Sequence, residues 1–249
     1  MVDLGSGVKL TLCYCPPGSF TMGSPPSEAD RSHDEDQVQV RISKGFWMAQ
    51  TEVTQAQWKA LMGGNPSNFK GDDLPVEQVS WEDAQAFIGK LNQTAPLPVG
   101  WKYALPTEAQ WKYACRAPSS ADGPYPLFSF GSVLNGTQAN CDGNSPYGTS
   151  TSGPYLQKTA AVGSYAPNAW GLCDMHGNVW EWCADGYGAK LAGGPDPVGA
   201  SSGSYRLIRG GAWSNDAQHC RVAARNRNSP DFRNIRLGFR LAAVPAGAR

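Results

Sequence analysis

The chain has 249 residues, in which 21 lysines and arginines balance 21 aspartates and glutamates. Charged residues are 17% of the total, below the usual ~25%, while 29 glycines and 19 prolines lie well above the ordinary ~12% share. This composition excludes a coiled coil or a helical bundle and points to a loop-rich fold, long enough for one domain with a sizeable core. A neutral chain is not a general polyanion binder, so no nucleic-acid partner is expected. No apolar run approaches the ~18 residues of a membrane span. Residues 1–12 lack the basic and apolar regions of a secretion signal, which leaves a cytoplasmic location as the default expectation.

In chain order, Val40-Arg41-Ile42 alternates as a strand. Thr54 is placed to cap a helix with Trp58, Leu61 and Met62 on one face, stopped by Gly63-Gly64. Ser80 caps a second, whose buried stripe is Ala84, Phe87, Ile88 and Leu91. Thr107 and Gln110 form a capping box that opens a third helix through Trp111, Ala114 and Cys115. The soft stretch from Pro118 to Pro154 reads as a large surface excursion. Short strands are expected at Val179–Trp182 and Leu237–Leu241. The whole spells an α+β fold, loop-rich with a few helices and short antiparallel strands, in a single domain over residues 1–249.

Neutrality hides two patches of opposite sign. Residues 1–40 carry Asp3, Glu28, Asp30, Asp34, Glu35 and Asp36 against Lys9 and Arg31, while Arg206 to Arg240 carries eight arginines with only Asp216 and Asp231. Cysteines 13, 15, 115, 141, 173, 183 and 220 form no C-x-x-C, and His33, His176 and His219 are far apart, so no zinc site of usual spacing is visible. Reduced, buried thiols are the main expectation, with one disulfide or one reactive thiol as the alternative.

A series of ordered motifs runs along the chain: Pro17–Ser24, Thr51-Glu52-Val53-Thr54, Pro75–Trp81, Leu105-Pro106-Thr107-Glu108-Ala109-Gln110-Trp111, Asn168–Leu172, Gly177–Trp182, Arg209-Gly210-Gly211-Ala212-Trp213, Asn226-Arg227-Asn228, Pro230-Asp231 and Leu237–Arg240. From about residue 8 to 244 this resembles the formylglycine-generating enzyme (sulfatase-modifying factor) domain family. The resemblance implies an elaborated C-type-lectin fold with little regular secondary structure. Oxidases of that family use two cysteines about five residues apart after the Arg-Gly-Gly segment, with copper and oxygen, to convert a substrate cysteine to formylglycine. Two soft sulfurs suit Cu(I). Here Asn215 holds the first cysteine's place and Cys220 stands alone. Beside His219 and Arg221, Cys220 reads either as a thiol of lowered pKa or, preferably, as a half-buried structural thiol.

The C-terminal segment, residues 212–236, also resembles the variable region of proteins diversified by retroelements. There a constant scaffold is interrupted by positions that adenine-directed mutagenesis of asparagine codons replaces. The interrupting positions are Ser214, Asn215, Asp216, His219, Asn228, Ser229, Phe232, Asn234, Ile235 and Arg236, and every one of these amino acids is reachable from AAC by changing its first two bases. Independently of any family, Trp213, His219 and Phe232 among Asn, Asp and Arg have the chemistry of a recognition surface. The same polar residues can instead tie loops together, the role expected of Arg225, Arg227, Arg233 and Arg240.

The resemblance also implies calcium at Asp174, Gly177, Val179 and Glu181, two carboxylates and two carbonyls being hard donors suited to Ca²⁺. The alternative is that Glu181 bonds amides or an arginine. A second family calcium site, beginning at Asn140-Cys141, is expected to be absent because its distal carboxylate falls near Pro154. The leading expectation is a non-catalytic module binding an unknown protein or small ligand at its C-terminal surface. The alternative is a copper-dependent oxidase of protein cysteines, or an accessory factor for it, with Cys220 as its one remaining thiol. An iron-dependent sulfoxide synthase would need a histidine-rich partner domain that this sequence does not contain.

Overall fold

The computed structural model describes residues 1–118, 126–200 and 203–247. Residues 119–125 of the expected surface excursion lie outside the described residues. Strands β1 (Val2–Asp3) and β2 (Lys9–Leu10) form a small hairpin, followed by β3 (Leu12–Cys15), β4 (Gly18–Met22), β5 (Val38–Ile42) and β6 (Phe46–Ala49). Helices α1 (Gln55–Met62) and α2 (Trp81–Thr94), strand β7 (Trp101–Ala104) and helix α3 (Glu108–Arg116) come next. The rest is short strands: β8 (Trp180–Gly186), β9 (Gly194–Pro195), β10 (Arg206–Arg209), β11 (Asn226–Asn228), β12 (Leu237–Gly238) and β13 (Ala242–Pro245), with a 3₁₀ turn at Ala217–Cys220.

All three helices open on the cap expected of them. Thr54, Ser80 and Thr107 each accept the N3 backbone N–H, and the N3 side chains of Gln57, Asp83 and Gln110 reach back to the cap, so every one is a complete capping box. These boxes fix helix starts that short sequences could not hold by propensity alone. The closing strand is shorter than expected: β12 ends at Gly238, where an added Cβ would sit 2.4 Å from Val76 O, and pairing resumes only at β13.

Two four-stranded sheets organise the fold. One has the order β3-β6-β13-β7, which sets an early strand and the last strand in one sheet with β6 between them. The other, β11-β10-β8-β12, is made from the second half of the chain and carries β11 at one edge. Trp58, Phe87, Trp182, Phe239 and Leu241 pack between the helices and these sheets. A second cluster joins Phe20, Ile42, Phe46, Trp111 and Leu207, and a small third one joins Phe128, Leu134, Ala139, Cys141, Ala217 and Cys220.

The two charge patches neutralise each other. Arg221 pairs with Glu28 and, at 3.0 Å, with Glu35; Arg225 pairs with Glu108 at 2.6 Å and Asp34 at 3.3 Å. Arg225 and Arg240 also tie loops by donating to carbonyls, those of Asp34 and Gly188 and those of Ala49, Gln50, Cys173 and Asp174. Arg233 is an exposed partner of Asp83 that also donates to Asp231 O. Arg227 departs from the loop-tying role: it is exposed and stacks 4.0 Å over the Tyr187 ring. Arg209, fully buried, takes that role instead with the carbonyls of Val222, Ala223 and Ala224.

Candidate ligand-binding site

Strand β8 ends the segment Gly177–Trp182, and its buried Trp180 forms the base of a shallow depression of about 200 Å³. Ile208 of β10 and Leu237 of β12 complete the apolar floor, while Asn215, Asn226, Asn228, Phe232, Asn234 and Arg236 line the walls. The loop that carries Phe232 to Arg236 is pinned by its backbone. Trp81 N–H donates to Pro230 O, Gln78 N–H to Asn234 O, and Trp180 N–H to Arg236 O, at 2.9, 3.0 and 2.8 Å. Arg236 is then oriented by Asn234 Oδ1 and by Ser214 Oγ, each 3.2 Å from its guanidinium.

Five residues expected on a recognition surface therefore converge: Asn215, Asn228, Phe232, Asn234 and Arg236. Ser214 joins them through Arg236, and Ile235 is half-buried beside them. Asp216 and His219 are exposed, and Ser229 is half-buried, but none of the three lines the depression. Trp213 is turned inward. It is 9% exposed, meets the Phe69 ring edge-on at 5.6 Å and donates Nε1–H to Ile235 O, so it supports the surface from below. Asn226 was hidden in sequence because it sits inside an apparent scaffold motif, on the edge strand β11.

Asn215, which the resemblance implies holds the first cysteine's place, is fixed through its backbone. Its N–H donates to Ala212 O, its carbonyl accepts Asp142 N–H, and its side-chain Oδ1 is buried without a hydrogen-bond partner. Cys220 is fully buried and points away from the reactive reading. The neighbouring Cys141 thiol together with burial pushes its pKa well up. Arg221, expected to help lower it, is spent on Glu28 and Glu35.

The calcium donors are arranged otherwise than the resemblance implies. Glu181 Oε1 accepts from Arg240 Nη2 at 2.6 Å, while Oε2 accepts from Arg240 Nε and Trp111 Nε1 at 2.7 Å each. Asp174 Oδ2 accepts Gly163 N–H at 2.6 Å, and Glu52 Oε1 accepts Asn178 Nδ2–H at 3.1 Å. Burial pushes both of those carboxyls above the usual range, Glu52 most of all. The cation facing Glu181 is thus an internal arginine that calcium would have to displace, so the set Asp174, Gly177, Val179 and Glu181 does not fit the ion in this arrangement. Among the described residues no three His, Cys, Asp or Glu side chains are placed to share a metal.

Fold and site together define a C-type-lectin-type scaffold with a loop-built surface at the C-terminal sheet. Residues 10–244 match the sulfatase-modifying factor enzyme 1-like domain, and the chain belongs to that family. It is 34% identical over 219 residues to a formylglycine-generating enzyme of Streptomyces coelicolor, covering 84% of this chain and 64% of that enzyme, so it spans under two thirds of that relative. Among solved structures, Treponema denticola variable protein 1 superposes with a TM-score of 0.77 at 28% identity, over 96% of this chain and 97% of that one. PvdO from Pseudomonas aeruginosa gives 0.76 at 28% identity, over 93% of each.

Proposed function

We propose that this chain is a non-catalytic binding module whose C-terminal segment presents a recognition surface to a protein or small ligand. One observation carries this reading: Asn215 stands where the oxidases of the family have a thiol, and it lines a depression together with Asn228, Phe232, Asn234 and Arg236. An aromatic anchor ringed by short amides and one guanidinium suits adaptable hydrogen bonding around an apolar contact. Likeness to a protein named as variable supports a constant scaffold with changing surface residues. Diversification by a retroelement belongs to the same reading. It calls for a near-duplicate of the segment's coding DNA, differing at adenines, close to a reverse transcriptase.

Selection of a phage-displayed random peptide library on the purified chain tests the surface. Enriched peptides should lose at least about tenfold in affinity, or 1.4 kcal/mol, against the double variant Phe232→Ala/Arg236→Ala while its Tm is unchanged. Peptides indifferent to both substitutions would refute it. The second reading, oxidation of a protein cysteine, is favoured by the enzymes matched in sequence. Incubation with copper, oxygen and a sulfatase-type cysteine peptide should leave the peptide mass unchanged. An aldehyde product abolished by Cys220→Ser would instead establish the oxidase.

A further inference from the structure

Cys141 and Cys220 are fully buried in the same small cluster, close enough for each side chain to shift the other's ionisation. The two segments that carry them are laced together on both sides. Asp142 N–H donates to Asn215 O at 2.9 Å, Ala217 N–H to Ser145 O at 3.1 Å, and Asn178 N–H to Asn140 O at 2.8 Å. Cys220 is held by its surroundings as well: an added Cβ on Gly211 would stand 2.5 Å from its sulfur, and its carbonyl accepts His176 Nδ1–H at 2.7 Å. Other thiols face carbonyls instead. Cys13 donates to Gly171 O, Cys15 to Cys13 O and Cys115 to Met175 O.

We propose that Cys141 and Cys220 are a dithiol that closes to a disulfide by exchange with a small-molecule disulfide such as oxidised glutathione. The partners differ in character. The neighbouring Cys220 side chain lowers the pKa of Cys141, whereas the same contact and burial raise that of Cys220, so Cys141 is the attacking thiolate. Its sulfur attacks one sulfur of the reagent, forming a mixed disulfide and releasing one thiolate. Cys220 then gives its proton to that thiolate and attacks Cys141 Sγ, and the second reagent thiolate leaves. Two protein thiols are oxidised to one disulfide, and one reagent disulfide is reduced to two thiols. Burial makes the first attack depend on local opening, so closure is slow in the native state.

The link would fasten the 3₁₀ turn Ala217–Cys220 to the segment around Cys141, segments 79 residues apart in the chain. Native protein is incubated with oxidised glutathione, denatured, and alkylated with iodoacetamide. Seven cysteines are present, so closure leaves five alkylated, and the protein carries two carbamidomethyl groups fewer than its reduced, alkylated form. Trypsin should then release residues 117–158 joined to residues 210–221, each fragment holding one cysteine, and reduction should separate them. The Tm should rise by about 5–10 °C on oxidation and fall back on reduction. Cys141→Ser, and separately Cys220→Ala, should abolish both the cross-link and the rise. Complete alkylation of all seven cysteines after prolonged oxidation, or a cross-link between other cysteines, would overturn the proposal. Because the fragments are mapped in the unsubstituted protein, this outcome is independent of any ligand at the surface.

Discussion

Arg240 and Glu181 meet fork to fork in the core, with Nη2 2.6 Å from Oε1, Nε 2.7 Å from Oε2, and both side chains fully buried. Burial alone would favour loss of the Arg240 proton, but the Glu181 charge outweighs it and holds the guanidinium above its ordinary pKa. The same guanidinium donates to the carbonyls of Ala49, Gln50, Cys173 and Asp174, so one side chain joins the end of β6 to the loop before β8. Removing one partner of such a pair leaves a buried charge facing fewer counter-charges. Glu181→Gln should therefore lower stability by about 3–5 kcal/mol, read from the midpoint of urea unfolding.

The same geometry bears on calcium. Stabilisation by mass action requires a site that the folded state offers free, and Glu181 has no oxygen uncommitted by Arg240 and Trp111. Adding millimolar calcium should leave the Tm unchanged, and elemental analysis of purified protein should find less than one calcium per chain. A stoichiometric ion together with a thermal shift would mean that Arg240 gives way to it.

What could be read from sequence was local, and what could not was distant. Thr54, Ser80 and Thr107 were legible because a cap and its N3 partner lie three residues apart. Five residues lining the depression were legible because they interrupt runs of Gly, Pro and Arg suited to turns. The partner of Glu181 lies 59 residues away and that of Cys141 lies 79 residues away, and no short-range pattern encodes either. Trp213 shows the remaining difficulty. A tryptophan among polar neighbours has the composition of a binding residue, and only Phe69, brought in from the loop after α1, shows that it packs inward.

That loop carries a pH-sensitive group. Glu77 accepts Phe69 N–H at 2.8 Å, its own N–H donates to Ser67 Oγ at 3.0 Å, and burial pushes its carboxyl up to about 7. An unfolded glutamate ionises near 4.5. Between these values the folded state holds more protons than the unfolded one, so this group's contribution to stability falls as pH rises from 4.5 to 7 and stays low above it. Glu77→Gln should remove the dependence: the Tm of the variant relative to the parent should be higher at pH 8 than at pH 5. Parallel Tm curves across that range would show that Glu77 does not carry it.

Trp213 and Phe232 stand in the same segment and should answer substitution in opposite ways. Trp213 is 9% exposed, packs on Phe69 and holds the backbone of Ile235, whereas Phe232 is 38% exposed at the wall of the depression. Truncating a packed tryptophan removes buried apolar area and leaves a cavity. Trp213→Ala should cost about 3–5 kcal/mol and blunt any binding through loss of structure. Phe232→Ala gives up little burial, so its stability should stay within about 0.5 kcal/mol of the parent while selected peptides bind more weakly. Thermal melts and peptide titrations on the two variants check this. Equal stability losses at both positions would make Phe232 a core residue and leave the depression without its aromatic anchor.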